Sequence, residues 1–111
     1  MYTIKTDKNA FDLIKSGKKI YEIQINNGNT ISVGEHILFK KKPELFDGVL
    51  TKVVDKKIFP SFLEMATILS IEDLGYEGYT NYGVEDECRK IFDRELEEKF
   101  GVVVYQIEVL N

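Results

Sequence analysis

The 111-residue chain contains one cysteine, Cys88, one histidine, His36, two prolines and no tryptophan. A lone cysteine excludes an internal disulfide and agrees with a reducing compartment. A single histidine without clustered cysteines or carboxylates is a poor zinc site, and there is no Walker loop, no Gly-x-Gly-x-x-Gly and no nucleophile elbow. No cofactor or metal is therefore expected. No apolar run approaches the roughly 20 residues that cross a bilayer, and the N-terminal stretch lacks the apolar core of a signal peptide. These absences predict a cytoplasmic protein with no membrane association.

What is present suits one packed unit. The length supports a single domain over residues 1–111, and 43% hydrophobic with 31% charged residues is the balance of a globular chain. The net charge of −4 argues against strong non-specific binding to nucleic acid, which needs a basic surface. That charge is unevenly divided. Residues 1–60 carry 11 lysines against 7 acidic residues, and residues 61–111 carry 4 basic against 12 acidic ones. The division allows a basic binding face, or simply a solvated acidic helix with lysines scattered elsewhere.

Residues 2–5 read as a strand and 7–16 as a helix with Ala10, Phe11, Leu13 and Ile14 on its buried side, ended by Gly17. Residues 19–25 then alternate Tyr21, Ile23 and Ile25 with Glu22 and Gln24, the period of a strand. Lys19 has the opposite parity to Glu22 and Gln24, so the three converge only if Lys19 stands on the turn or a bulge. Asn26-Asn27-Gly28-Asn29 and Gly34-Glu35 are turn signals, and 36–41 and 48–58 read as strands. Pro60 breaks the sheet, and Ser61 with Glu64 forms a helix-start pattern ahead of a helix over 62–69. A second short start at 70–73 ends by Gly75, and 76–83 reads as an ordered loop rich in tyrosine. A long helix is expected over 84–100, with Val84, Cys88, Ile91, Phe92 and Leu96 on its apolar stripe and Asp86–Lys90 and Glu95–Lys99 as helical ion pairs. The apolar start of the last strand, 102–110, predicts a central place in the sheet. The sum is an α+β domain around a mostly antiparallel sheet.

The segment from Phe11 to Gln24 resembles the signature of the ASCH family, Gly-x-Lys-x-x-Glu-x-Arg after a first helix. Gly17, Lys19 and Glu22 match, and Gln24 stands at the position of the family's arginine. Three further stretches are similar to family landmarks in the same order: Val33 to Phe39, Ile58 to Phe62, and Phe100 to Val104. The resemblance implies a PUA-like β-barrel of mostly antiparallel strands with helices packed around it. It also implies a cleft beside the signature strand that binds RNA, a nucleotide or a modified nucleoside.

On that resemblance Gly17, Lys18, Lys19, Glu22, Gln24 and Ser61 are the expected ligand-binding residues, joined by Lys40, Lys41 and Lys42. An ammonium suits a phosphate or base oxygen, and a carboxylate suits a base amino group or ribose hydroxyl. Glutamine at position 24 lacks the charged fork of arginine, so phosphate contact would fall to Lys18 or Lys40–Lys42. The lysine run also reads as a charged strand end that discourages edge pairing, and Tyr76, Tyr79 and Tyr82 as loop packing or as stacking surfaces for bases. If the protein is an enzyme, Lys19 and Glu22 are the expected catalytic pair of a metal-independent hydrolase. It would act as a ribonuclease or, as in one branch of the family, as an amidohydrolase on N4-acetylcytidine, where a threonine takes Glu22's position. A third expectation is a protein-interaction module that uses the acidic C-terminal helix.

Overall fold

The computed structural model describes residues 1–28 and 31–110, so the Asn29 end of the expected 26–29 turn lies outside the described residues. The chain opens with strand β1 (Tyr2–Thr6), then helix α1 (Lys8–Lys15). The Asp7 side chain starts that helix by accepting the Ala10 N–H at 2.9 Å. Phe11 and Ile14 are its buried residues, whereas Ala10 and Leu13 are half-buried. Gly17 follows in the left-handed region at φ 81°, where a side chain is strained.

Four more strands complete the sheet: β2 (Tyr21–Ile25), β3 (His36–Lys41), β4 (Gly48–Phe59) and β5 (Val102–Val109). Their order is β1-β3-β4-β5-β2. Only β1 and β3 run parallel; the other three pairings are antiparallel. The sheet is strongly curled into a half-barrel, and a register irregularity between Val53 and Asp55 of β4 adds to the local twist.

Both sheet faces are covered, which explains the apolar run that opens β5. Val102 and Val104 enter one core, with Tyr21, Ile23, Ile25 and Phe59. Val103, Tyr105 and Ile107 enter the other, with Phe11 and Ile14 of α1. Alternate side chains at the start of that strand thus serve two cores, so its opening run is apolar at both parities.

Helices α2 (Phe62–Ile68) and α3 (Asn81–Ile91) cover the first core, and α4 (Arg94–Phe100) follows beside β2. Ser61 caps α2 by accepting the Glu64 N–H at 3.1 Å. The short helix expected at 70–75 is a turn, closed by Leu74 N–H on the Ser70 carbonyl at 3.1 Å.

The long helix expected over 84–100 is two helices. Phe92 turns extended (φ −114°, ψ 143°) and its ring stacks on Phe62 with centroids 5.5 Å apart. Asp93 then caps α4 by accepting the Glu95 N–H at 2.8 Å. The break redistributes the faces. Ile91 is 68% exposed and Leu96 40%, while Glu97 is only 2% exposed. Glu97 Oε2 accepts the Phe62 N–H at 2.9 Å, and Oε1 accepts Arg89 Nε–H at 3.0 Å. Lys90 pairs with Glu87 at 2.8 Å in place of the expected Asp86, and Lys99 lies over the Phe100 ring in place of the expected pair with Glu95. No helix among the described residues is long and apolar enough to cross a membrane.

Candidate functional site

Strand β2 begins at Tyr21, so Lys19 stands ahead of the strand and escapes its alternation. Its backbone N–H closes the α1 exit on the Leu13 carbonyl at 3.0 Å. The next two N–H groups, of Ile20 and Tyr21, both donate to the Asp73 carbonyl at 3.0 and 3.2 Å. This strapping carries the Lys19 side chain inward, where Nζ donates to the Leu74 carbonyl at 2.9 Å. The residue is 9% exposed and forms no ion pair with any described residue.

Above it opens a cavity of about 900 Å³ between α1 and α3. Asp7, Lys8 and Asp12 border it on the α1 side and Glu87, Lys90 and Ile91 on the α3 side, with Lys19 and Leu74–Tyr76 between them. Tyr76 and Tyr79 stand edge to face on its wall, ring centroids 5.5 Å apart, and the Tyr79 hydroxyl donates to Glu87 Oε1 at 3.4 Å. A smaller cavity of about 320 Å³ lies against Gly17, Ile20 and the end of β5, and Lys19 borders both.

Burial holds the Lys19 ammonium below the ordinary lysine value, opposed by the charges of Glu22, then Cys88 and Asp7. Burial likewise raises the Glu22 carboxyl, opposed by Lys19 and by the Gln24 amide. Burial also pushes the Tyr76 phenol up, with the Cys88 thiol beside it, and drives that thiol to about 12. Cys88 is a core residue and no nucleophile at neutral pH.

The two charged residues of the signature point to different places. Glu22 and Gln24 sit opposite Tyr105 and Val103 of β5, and so share the α1-side face of the sheet. Gln24 Nε2–H donates to Glu22 Oε2 at 2.6 Å, which occupies part of the glutamine's capacity to read a base. Neither residue borders either cavity. Lys19 and Glu22 therefore feel one another's charge without sharing a pocket.

The remaining expected residues disperse. Gly17 borders the smaller cavity only, Lys18 is exposed on the turn, and the Ser61 hydroxyl caps α2 away from both cavities. Lys41 pairs with Asp47 at 3.1 Å and lies over the Phe11 ring, and Lys40 and Lys42 flank it at the β3 end; none of the three borders a cavity. Sequence reasoning missed Asp7, Lys8, Glu87 and Lys90 as cavity residues. Asp7 is legible as the start of a helix, but nothing local marks the other three as facing Lys19. The acidic face of α3 and α4 is partly neutralised, with Glu85 and Glu97 on Arg89 and Glu87 on Lys90. Among the described residues no group of three or more histidines, cysteines or carboxylates is placed to hold a metal ion.

No family model and no curated protein matches the sequence. Solved structures do share the fold. The hypothetical protein PH0355 superposes with a TM-score of 0.85 at 26% identity over 98% of both chains. Protein PF0455 from Pyrococcus furiosus does so with a TM-score of 0.70 at 22% identity, over 99% of this chain and 97% of that one. Protein EF3133 from Enterococcus faecalis V583 (DUF984) matches with a TM-score of 0.65 at 16% identity, over 91% of this chain and 66% of that one. The likeness to PH0355 and PF0455 thus spans essentially the whole half-barrel and its helices.

Proposed function

We propose that the half-barrel is a PUA-like domain of the ASCH family and that it binds a nucleoside or nucleotide, free or within RNA, in the cavity over Lys19. The observation that carries the reading is a buried ammonium on the floor of a cavity of about 900 Å³ walled by two tyrosines. The volume falls in the usual range for small-molecule sites, roughly 300–1,000 Å³. Tyr76 and Tyr79 supply aromatic surface for a base, Lys19 a donor for its carbonyl oxygen, and Asp7 and Glu87 acceptors for amino or ribose hydroxyl groups. Three lysines, Lys19 on the floor among them, and three carboxylates line the cavity, a balance that favours the nucleoside part of the ligand over a run of phosphates.

A hydrolytic reading is favoured by the burial of Lys19, which lowers its pKa and so raises the share of unprotonated amine free to accept a proton. Asp7 is then a carboxylate that borders the same cavity as Lys19, which Glu22 does not.

Calorimetry with the four common ribonucleosides, their 5′-phosphates, N4-acetylcytidine and short RNAs tests both readings, with chromatography to follow turnover. Binding that is lost in Lys19→Ala and weakened in Tyr79→Ala is expected, with Glu22→Ala closer to wild type. If none of these ligands binds, or Lys19→Ala binds as wild type does, the cavity reading fails. Turnover of N4-acetylcytidine that disappears with Lys19→Ala would move the protein to the hydrolases.

A further inference from the structure

The Lys19 stem crosses the chain at Gly75, which stands in the left-handed region at φ 88°. A Cβ built on Gly75 would lie 2.9 Å from Lys19 Cδ, 3.2 Å from its Cγ and 3.4 Å from its Cβ. The first of these is closer than carbon atoms pack, and neither backbone is free to retreat. Asp73 holds Ile20 and Tyr21, Leu74 is fully buried, and the Leu74 carbonyl holds Nζ itself. The stem can yield only by swinging its far end away from the Leu74 carbonyl.

We propose that Gly75 is a positioning residue for Lys19: by lacking a side chain it lets the lysine stem lie against the main chain, which sets the ammonium on the cavity floor. The contact with ligand belongs to Lys19, and this role rests on the reading of Lys19 as the ligand-contacting group. Gly78 supplies an internal control. It has the same φ of 88°, but a Cβ there would meet nothing within 4 Å. Alanine at either position meets the same left-handed strain, and only at position 75 does it meet the lysine.

The experiment compares Gly75→Ala and Gly78→Ala in the wild-type and Lys19→Ala backgrounds, by thermal denaturation and by NMR titration of the Lys19 amine. The amine signal is identified by its loss in Lys19→Ala. Gly75→Ala is expected to move the Lys19 titration up toward that of an ordinary lysine and to abolish nucleoside binding, while Gly78→Ala leaves both at wild type. The extra destabilisation of Gly75→Ala over Gly78→Ala is expected to vanish once Lys19 is alanine. Should Gly75→Ala fail to fold while the double variant folds, the same conclusion holds. An equal cost in both backgrounds, an unmoved Lys19 titration, or a double variant that also fails to fold would overturn the proposal. Because the titration and the stability cycle read Lys19 without any ligand, a wild-type protein that binds no nucleoside sinks the proposed function, while the positioning of the lysine stem by Gly75 is still decided by those two measurements.

Discussion

Replacing Glu97 with alanine is the most informative single perturbation of the scaffold, because this carboxylate joins three helices from a position 2% exposed to solvent. It accepts the Phe62 N–H of α2 and Arg89 Nε–H of α3 while itself belonging to α4. In Glu97→Ala the Phe62 N–H has no acceptor beside a fully buried ring, a loss of about 1–3 kcal/mol for a buried donor left unpaired. Arg89 loses its buried partner but keeps Glu85 at 3.2 Å and remains partly in solvent, so its share is only about 0.5–1 kcal/mol. The total is about 3 kcal/mol, and at roughly 4 °C per kcal/mol for a domain of this size the Tm falls by about 12 °C. Glu97→Gln keeps an acceptor for Phe62 and is expected to cost about half as much. Urea and thermal denaturation followed by circular dichroism measure both. Arg94→Ala removes the exposed Arg94–Glu98 pair and serves as the control, with a change under about 0.5 kcal/mol. If Glu97→Ala matched that control, the Glu97 clasp would have no energetic content and would not be what holds the three helices together.

Other outcomes follow from the same geometry. Asp93→Ala removes the cap that starts α4 and should lower stability by about 1 kcal/mol, read as a lower urea midpoint. Since the Lys19 ammonium titrates lower in the folded protein than in the unfolded chain, the unfolded state binds more protons between those two values and stability rises with pH across that window; Lys19→Met should flatten the rise in denaturation curves taken from neutral to alkaline pH. Glu22 runs the other way: its raised carboxyl contributes stability that is complete below its ordinary value and is lost as pH climbs through the folded one, a slope that Glu22→Gln should remove. Cys88, 1% exposed with its thiol driven to about 12, should resist iodoacetamide at pH 8 in the native protein and react on unfolding.

Much of the architecture was written in local pattern. The first helix to within a residue of its ends, the alternation from Tyr21 to Ile25, the bounds of β3 and β4 and the central, apolar start of β5 all follow from periodicity and turn chemistry, while Asp7, by that pattern the first helical residue, is the helix's cap. The break at Phe92 does not follow from them, because residues 84–100 form a good helical pattern on their own, and it takes the distant Phe62 ring together with the Asp93 cap to outweigh it. The site divides in the same way. Periodicity puts Lys19 at the head of a strand over 19–25, with the turn or a bulge left open by its parity against Glu22 and Gln24, and the strand in fact begins two residues later. Its separation from Glu22 was not legible, because the carbonyl that takes its ammonium lies 55 positions along the chain. The lysines at 40–42 looked like a binding tract by composition alone, and Asp47 and Phe11 occupy the middle one.

Strand order has a consequence for how the domain comes into being. β2 lies at the end of the sheet and its one strand neighbour is β5, the last element of the fold. The strand beside the candidate site therefore waits, unpaired, through the synthesis of everything between them. Until β5 arrives it is a short, apolar, open-edged segment of the kind that chaperones hold and that neighbouring chains capture. A bound trigger-type chaperone over that interval should raise the soluble yield, slow codons there should lower it by lengthening the wait, and a chain stopped before residue 102 should partition to aggregates.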